Sequence, residues 1–301
     1  MKGLLHAQQA VAKRRISGAY ALGPLRGYDV DAIRPPWVIA APVSTYVTFL
    51  RCPRCAYLSL VSGTRFSQTK HSVRGMLHHR AFEYLMAGEF RLATKFSLSA
   101  TGPDMMREFQ HLLRAIKESL ARRFLNELQS VGADFETEWR ILERHLREAY
   151  QTWLNRLSSF ALTSKLEGIE LARAFVPIRK FEVPLSAPAL GFSGGRIDVI
   201  EDGIPIEIKT GAPPREGSPP HHVLQMTYYA LLLEYCTGRD VNFGEIYYTS
   251  INQRRRLAMD REKRLLALWV RDEAMEAFRR REPPDNFCRW CSPLSEGEPH
   301  A

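Results

Sequence analysis

The stretch running from Gly195-Arg-Ile-Asp198 to Glu207-Ile-Lys209 constrains the fold more than any other part of the chain. Asp202-Gly203, set between runs of alternating apolar residues, marks a two-residue hairpin loop, because both loop positions need positive φ and Asp and Gly tolerate it. With those residues in the loop, Glu201 pairs with Ile204, and counting back along both strands places Asp198 opposite Glu207. Side chains alternate between the two faces of a strand. One face therefore carries Ile197, Val199, Ile204, Ile206 and Ile208, suited to a core. The other carries Arg196, Asp198, Pro205, Glu207 and Lys209. Directly opposed carboxylates hold their Cβ atoms about 4.5–5.5 Å apart and repel one another. A divalent cation between them would remove that repulsion, and Lys209 points to the same side. The plainer reading is an amphipathic hairpin with a solvated charged face.

The segments around the hairpin favour the first reading. A long apolar helix is predicted from about His222 to Tyr235, closed by Gly238 as a C-cap. Gln225 and Tyr229 are spaced i, i+4 on it and share a face. Alone they read as two tolerated polar groups; directly after an Asp…Glu-x-Lys hairpin they read as part of the same site.

Four of the five cysteines form two Cys-x-x-Cys pairs, Cys52/Cys55 and Cys288/Cys291. Pairs at this spacing inside a cell more often hold metal or do redox chemistry than form structural disulfides. Four thiolates suit tetrahedral zinc or a [4Fe–4S] cluster, and spacing does not separate the two. To share one centre the pairs must bring distant parts of the chain together, and closing so long a loop stabilises a fold. Cys236, on the apolar helix, reads as a core residue.

Between these landmarks the pattern predicts a helix beginning at Ser44 and running through the first cysteine pair. A second is predicted from His71 to about Met86, with Gly88 as its stop. Two long amphipathic helices follow near 104–130 and 136–161, the second opening on Glu136 and Glu138 at the positive end of its dipole. Their simplest role is a helical pair packed on the core; the sharper one is a lid over nucleic acid or a docking surface. Arg173 to Leu185 reads as a strand, Gly211–Pro220 as a mobile loop beside the site, Gly244 to Ser250 as a strand and 257–281 as a basic helix.

Three of these pieces, with one upstream, carry a family resemblance. Gly195-x-x-Asp198, Glu207-x-Lys209 and Gln225-x-x-x-Tyr229, together with Gly75-x-x-x-His79-x-x-x-Glu83, resemble the RecB-like branch of the PD-(D/E)xK nucleases. More narrowly, Leu25-Arg-Gly-Tyr-Asp-Val-Asp, Val43-Ser-Thr-Tyr and Glu207-Ile-Lys-Thr-Gly211 resemble a longer archaeal variant of the CRISPR-associated protein 4 family, the iron–sulphur nucleases of CRISPR adaptation. The likeness leaves about 95–175 uncovered. It implies an α/β fold, a restriction-endonuclease-like mixed sheet flanked by helices. Residues 1–60 would form an N-terminal segment carrying the first cysteine pair. Residues 61–282 would form the nuclease core, with a helical insertion at 95–175. Residues 283–301 would complete an iron–sulphur lobe joining both termini. The cysteines depart from the family's commoner pattern of one N-terminal and three C-terminal ligands.

The resemblance also implies roles. Asp198 and Glu207 would bind Mn²⁺ or Mg²⁺, with His79 and the backbone carbonyl of Ile208 completing the set. Lys209 would position water, and Gln225 and Tyr229 would orient phosphate. The Gly75 spacing selects His79 over its neighbour His78, and Glu83 would support the site from one turn away. Cys52, Cys55, Cys288 and Cys291 would hold a [4Fe–4S] cluster, zinc being the alternative. The activity implied is trimming or preparing single-stranded DNA ends for new CRISPR spacers, in company with the CRISPR integrase subunits. A non-catalytic DNA-binding assembly subunit and a RecB-like repair exonuclease are the competing readings. A Walker A loop is missing from the sequence, so any unwinding would come from a partner.

A net charge of +9 and a pI near 9.4 suit a polyanionic partner. Lys13-Arg14-Arg15, Arg254-Arg255-Arg256 and Arg279-Arg280-Arg281 are candidate phosphate contacts, each also readable as a solvated face. Tyr46, Trp37 and Trp290 are candidates for base stacking. The apolar runs fall far short of the roughly 20 residues that span a membrane. The first residues lack a signal-peptide core. A cytoplasmic setting is therefore expected, with oligomerisation left open.

Overall fold

A computed structural model describes residues 40–99, 102–285, 288 and 291 of the chain. The order is β1 (Ala41–Pro42), α1 (Val43–Arg51), α2 (Pro53–Leu60), α3 (Lys70–Thr94), α4 (Gly102–Ser130), α5 (Phe135–Ser164), α6 (Gly168–Phe175), β2 (Arg179–Ala187), β3 (Phe192–Glu201), β4 (Ile204–Lys209), α7 (Pro220–Thr237), β5 (Phe243–Tyr248), β6 (Gln253–Ala258) and α8 (Arg261–Arg279). The strands form one mixed sheet in the order β1-β3-β4-β5-β6, with β2 paired to β3. This is the α/β architecture expected from the sequence.

The β3–β4 hairpin has the expected register. Glu201 pairs with Ile204, Ile200 with Pro205 and Val199 with Ile206, around a loop in which Asp202 has φ 48° and Gly203 φ 87°. On the edge of β3 opposite β2, β4 pairs with residues 199–201 and β1 with Phe192 and Gly194. The length between, 195–198, has no strand partner on that edge among the described residues. There the hairpin opens, and the N–H of Ile208 donates to the carboxylate of Asp198 at 2.7 Å instead. Beyond β4 the chain crosses over through α7 and returns as β5, parallel to β4. A crossover of this kind covers the sheet with a helix, so strands beneath it are buried on both faces.

Two apolar clusters lie on the two sides of the sheet. One joins α3, α4, α5 and α6 to Val199, Ile206, Ile208 and Tyr247. The other joins α1, α2, α7 and α8 to Ile197, Ile200, Ile246 and Tyr248. The single core face expected of the hairpin is therefore corrected: Ile197 falls in the second cluster, Val199, Ile206 and Ile208 in the first, and Ile204 is only half-buried. Helix α7 is buried from Leu224 through Glu234 on nearly every side, which its uninterrupted apolar sequence requires. Gly195 lets it approach, since a Cβ there would lie 2.8 Å from Leu232 and 3.4 Å from Tyr229.

The helical pair α4–α5 packs through a stripe of Met105, Phe109, Leu113, Ile116, Leu120, Phe124 and Leu128, with Phe109 stacked on Tyr150 at 3.8 Å.

Several expectations are corrected. Helix α3 runs past Gly88 to Thr94; Gly88 is an inner helix position where Leu112 packs so closely that a Cβ would meet it at 2.6 Å. The helix expected through the first cysteine pair breaks at Cys52, where Pro53 starts a new one. Arg173 to Leu185 divides into the end of α6 and strand β2. The basic helix expected from 257 begins at Arg261, and Gln253–Ala258 is a strand, in which every second side chain of the arginine run falls on the same face. Cys236 is exposed rather than in the core. Tyr46 is fully buried and donates to the Gly191 carbonyl at 2.6 Å, so it is a core tyrosine and cannot stack on bases. Trp37, Trp290 and Lys13-Arg14-Arg15 lie outside the described residues.

Candidate active site and cysteine cluster

The open end of the hairpin forms the floor of a cleft of about 480 Å³. Asp198 is 7% exposed and Glu207 3% exposed, both far more buried than carboxylates ordinarily are. Burial first, and then the neighbouring Glu207, raise the Asp198 carboxyl well above its usual range, while His79 pulls the other way. Glu207 Oε1 accepts from Lys209 Nζ at 2.6 Å. Its Oε2 is buried and has no hydrogen-bond partner among the described residues. Leaving a buried charged oxygen unmatched costs free energy, and such an atom in a native fold calls for an explanation.

Lys209 continues the network. Its Nζ also donates to Gln225 Oε1 at 2.8 Å, and Gln225 Nε2 donates to the Tyr229 hydroxyl at 2.9 Å. The i, i+4 pair on α7 thus holds the lysine through one amide. Burial, then the charge of Glu207, push the Tyr229 phenol far up, so it stays a neutral hydroxyl.

Helix α3 supplies His79. Its Nε2 contacts Glu83 Oε1 at 2.9 Å and Glu182 Oε1 at 3.4 Å, and its Nδ1 lies 3.6 Å from Asp198 Oδ2. Burial disfavours the imidazolium, but the Glu83 hydrogen bond and the charges of Asp198, Glu83 and Glu207 outweigh it and push His79 up to about 9. His78 faces away, buried against His145 with ring centroids 6.0 Å apart.

Glu182 was not foreseen. It sits on β2 with φ 50°, a conformation that a non-glycine residue holds only where its surroundings impose it. His79, Glu182 and Asp198 each bring a ligand atom within 4.8 Å of the others. Arg196 Nη1 lies 3.0 Å from Glu182 Oε2 and Arg80 Nη2 3.7 Å from it. Nothing in the local pattern Phe181-Glu182-Val183 marks this residue, since its position depends on β2 pairing beside Asp198.

An imidazole and two carboxylates, those of His79, Glu182 and Asp198, form a hard donor set, mostly oxygen, that suits Mg²⁺ or Mn²⁺; Glu207 lines the same cleft but falls outside this close group. The raised Asp198 carboxyl fits a cation among these three residues, since a cation would reverse that shift, and the unpartnered Glu207 oxygen is a further acceptor on a residue lining the same cleft. Ile208 lines the same cleft.

Of the other basic stretches, Arg254 pairs with Glu201 at 2.8 Å, and Arg255 donates to the carbonyls of Pro214 (2.9 Å) and Gly217, tying down the loop expected to be mobile. Arg279 and Arg280 pair with Glu276.

The cysteine pairs meet. Cys52 Sγ is 3.4 Å from Cys291 Sγ, Cys55 Sγ 3.4 Å from Cys288 Sγ, and Cys288 Sγ 3.7 Å from Cys291 Sγ. In each pair an N–H points at a sulfur 3.5 Å away, Cys55 N at Cys52 Sγ and Cys288 N at Cys291 Sγ. Burial, then the Cys288 sulfur, raise the Cys55 thiol strongly, and burial raises Cys52 as well. A thiophilic metal reverses that penalty by displacing the protons. Zinc–sulfur bonds of about 2.3 Å give tetrahedral edges near 3.8 Å, close to the separations here, whereas a [4Fe–4S] cube needs the sulfurs wider apart.

Among the described residues no helix is long and apolar enough to cross a membrane. No curated protein matches the chain. A family profile does: with a hairpin opening onto two carboxylates and a lysine, and a match over residues 41–294, the chain belongs to the PD-(D/E)XK nuclease superfamily.

Proposed function

We propose that this protein is a divalent-metal-dependent deoxyribonuclease that trims single-stranded DNA ends for CRISPR spacer acquisition, working in the cytoplasm beside the integrase subunits. The observation that carries the nuclease reading is the pair Asp198/Glu207, buried at the mouth of the hairpin with Lys209 held beside it by Glu207 and Gln225. The adaptation role rests on the resemblance in Leu25-Arg-Gly-Tyr-Asp-Val-Asp, Val43-Ser-Thr-Tyr and Glu207-Ile-Lys-Thr-Gly211.

Asp198, Glu207, His79 and the Ile208 carbonyl would hold Mn²⁺ or Mg²⁺, and Glu182 joins them by position. The ion supplies Lewis-acid polarisation of the phosphate and a lowered pKa for bound water. Lys209 would position the attacking water and stabilise the negative charge that develops on the phosphorane oxygens. Gln225 and Tyr229 fix the direction of that ammonium, and Glu83 orients the His79 ring. The four cysteines hold a structural centre, a [4Fe–4S] cluster by resemblance or zinc by sulfur separation. The visible absorption and iron content of anaerobically purified protein distinguish the two.

The test is cleavage of end-labelled single- and double-stranded DNA with Mn²⁺, Mg²⁺ or a chelator, alongside Lys209→Ala. Metal-dependent cleavage lost in Lys209→Ala is the expected result. A folded, DNA-binding protein that cleaves nothing under any of these conditions would point to an assembly subunit instead. Cleavage without capture of integrase subunits in a pull-down would favour a repair exonuclease.

A further inference from the structure

Helices α4 and α5 carry none of the short motifs of the site, and their buried stripe accounts for most of α4 as scaffold. It does not account for Arg123. Helix α4 runs antiparallel along α3: Leu112 packs on Gly88, Ser119 donates to the Tyr84 hydroxyl at 3.3 Å, and one turn further along Arg123 comes level with Arg80. Arg123 and Phe124 therefore line the same cleft as His79, Glu182, Asp198, Glu207 and Lys209. Phe124 is buried and Arg123 exposed.

The charges of that cleft explain why an exposed arginine there matters. Four carboxylates face it or stand behind it: Glu83, Glu182, Asp198 and Glu207. Its other cations are engaged with them, Arg80 with Glu83 at 2.5 Å, Arg196 with Glu182 at 3.0 Å and Lys209 with Glu207 at 2.6 Å. Arg123 makes no ion pair among the described residues. A polyanion entering so acidic a site needs positive charge that is not already neutralised, and a guanidinium offers a fork of donors matched to phosphate oxygens. Phosphate contacts of this kind fix register on the strand without reading bases.

We propose that Arg123 grips a backbone phosphate of the bound DNA strand, making the α4–α5 helical pair one wall of the substrate cleft. The inference rests on the nuclease reading of that cleft. Arg123 is a binding residue, and its removal changes affinity and KM more than kcat.

The test is fluorescence anisotropy of a short fluorescein-labelled oligothymidine without added divalent metal, repeated over a salt series. Arg123→Glu is compared with Arg123→Lys and with Arg107→Glu, an equal charge reversal at an exposed position near the start of the same helix. Arg123→Glu is expected to weaken binding about tenfold and to lower the slope of log affinity against log salt by about 0.7, the value for one phosphate contact on a single strand. Arg123→Lys restores most of the affinity, and Arg107→Glu binds as wild type. Equal affinity and slope for Arg123→Glu and wild type would overturn the proposal, as would an equal loss in Arg107→Glu. Because binding is read without cleavage, failure of the phosphate grip and failure of the nuclease reading are told apart. Loss of binding in Arg123→Glu with no metal-dependent cleavage by wild type would sink that reading and leave the grip on phosphate standing.

Discussion

The cleft and the cysteine cluster both gather groups that could hold a metal ion, and they differ in almost every physical respect. The cleft uses hard oxygen and imidazole donors, one already occupied by a lysine and one buried without a partner. It is open to solvent on one side and draws on four elements of the sheet and its helices. The cluster uses four soft sulfurs, three of them buried, taken from the two ends of the described chain. A site that must admit substrate cannot be closed by protein ligands, whereas a site that only ties chain ends together gains from closure. Under the proposed function, loss of metal from the first should stop chemistry and spare the fold, and loss from the second should do the reverse.

The largest expected effect tests the first half of that contrast. Asp198→Asn should cut metal-dependent cleavage by about 10³-fold, roughly 4 kcal/mol of transition-state stabilisation. The same change should leave the metal-free melting temperature unchanged or higher, because it removes a buried carboxylate that burial and Glu207 already disfavour. A variant that cleaves like wild type, or one that loses activity only through unfolding, would break the comparison.

Next in size is Cys55→Ser. Opening the four-sulfur centre should cost about 3 kcal/mol of stability, read as a lower thermal midpoint together with loss of bound zinc or iron. The surviving folded fraction should keep its cleavage rate per molecule. If that rate falls in step with Asp198→Asn while the midpoint holds, the cluster belongs to the chemistry and the division of labour is wrong.

Adjacent histidines on α3 repeat the contrast over a single residue. His78, packed against His145, is pushed down to about 4 by burial, then by His145 and Arg74, whereas His79 is pushed up to about 9. The unfolded chain protonates at the ordinary histidine value of 6.5. Between there and about 4 it binds a proton that buried His78 refuses, so stability falls as pH falls through that window. The expected loss from pH 7 to pH 5 is about 2 kcal/mol. The sign for His79 is opposite: its contribution is complete below 6.5 and is lost as pH rises through about 9. Melting curves without added metal should therefore flatten on the acid side in His78→Gln and on the alkaline side in His79→Gln. Identical pH profiles for the two variants would show that the residues do not face different environments.

These regions also differ in how far they can be read from sequence. The hairpin register, Lys209 and the Gln225–Tyr229 pair were legible because each depends on neighbours a few residues away: a turn, an alternation, a helical repeat. The cysteine pairs were legible as pairs, since the spacing within each is local, though nothing local says how far apart their sulfurs stand. Glu182 was not legible. It reaches His79 only because β2 lies beside β3 with one residue forced to positive φ, which no short-range pattern announces. Tyr46 was not placed by sequence for a related reason: its ring suits base stacking, and only its burial and its hydrogen bond to the distant Gly191 carbonyl make it a core residue. Strand β6 was hidden because arginines at 254–256 mask the alternation that marks a strand. The structural employment of those arginines, against Glu201 and the 211–219 loop, appears only in three dimensions.

The smallest effect separates positioning from ligation inside the cleft. Tyr229→Phe removes only the hydroxyl that receives the Gln225 amide. Gln225 is then free to turn, and the Lys209 ammonium keeps Glu207 but loses its second fixed partner. With Lys209 in its proposed role at the transition state, the loss should appear in kcat, about tenfold or 1.4 kcal/mol, with KM for DNA and the Mn²⁺ requirement unchanged. Gln225→Glu should hold the lysine more tightly through a charge but withdraw that charge from phosphate, so it too should lower kcat. A rise in the Mn²⁺ concentration needed for half-maximal cleavage by Tyr229→Phe would instead place the α7 pair among the groups that hold the ion, and the line between positioning and ligation would have to be redrawn through Gln225.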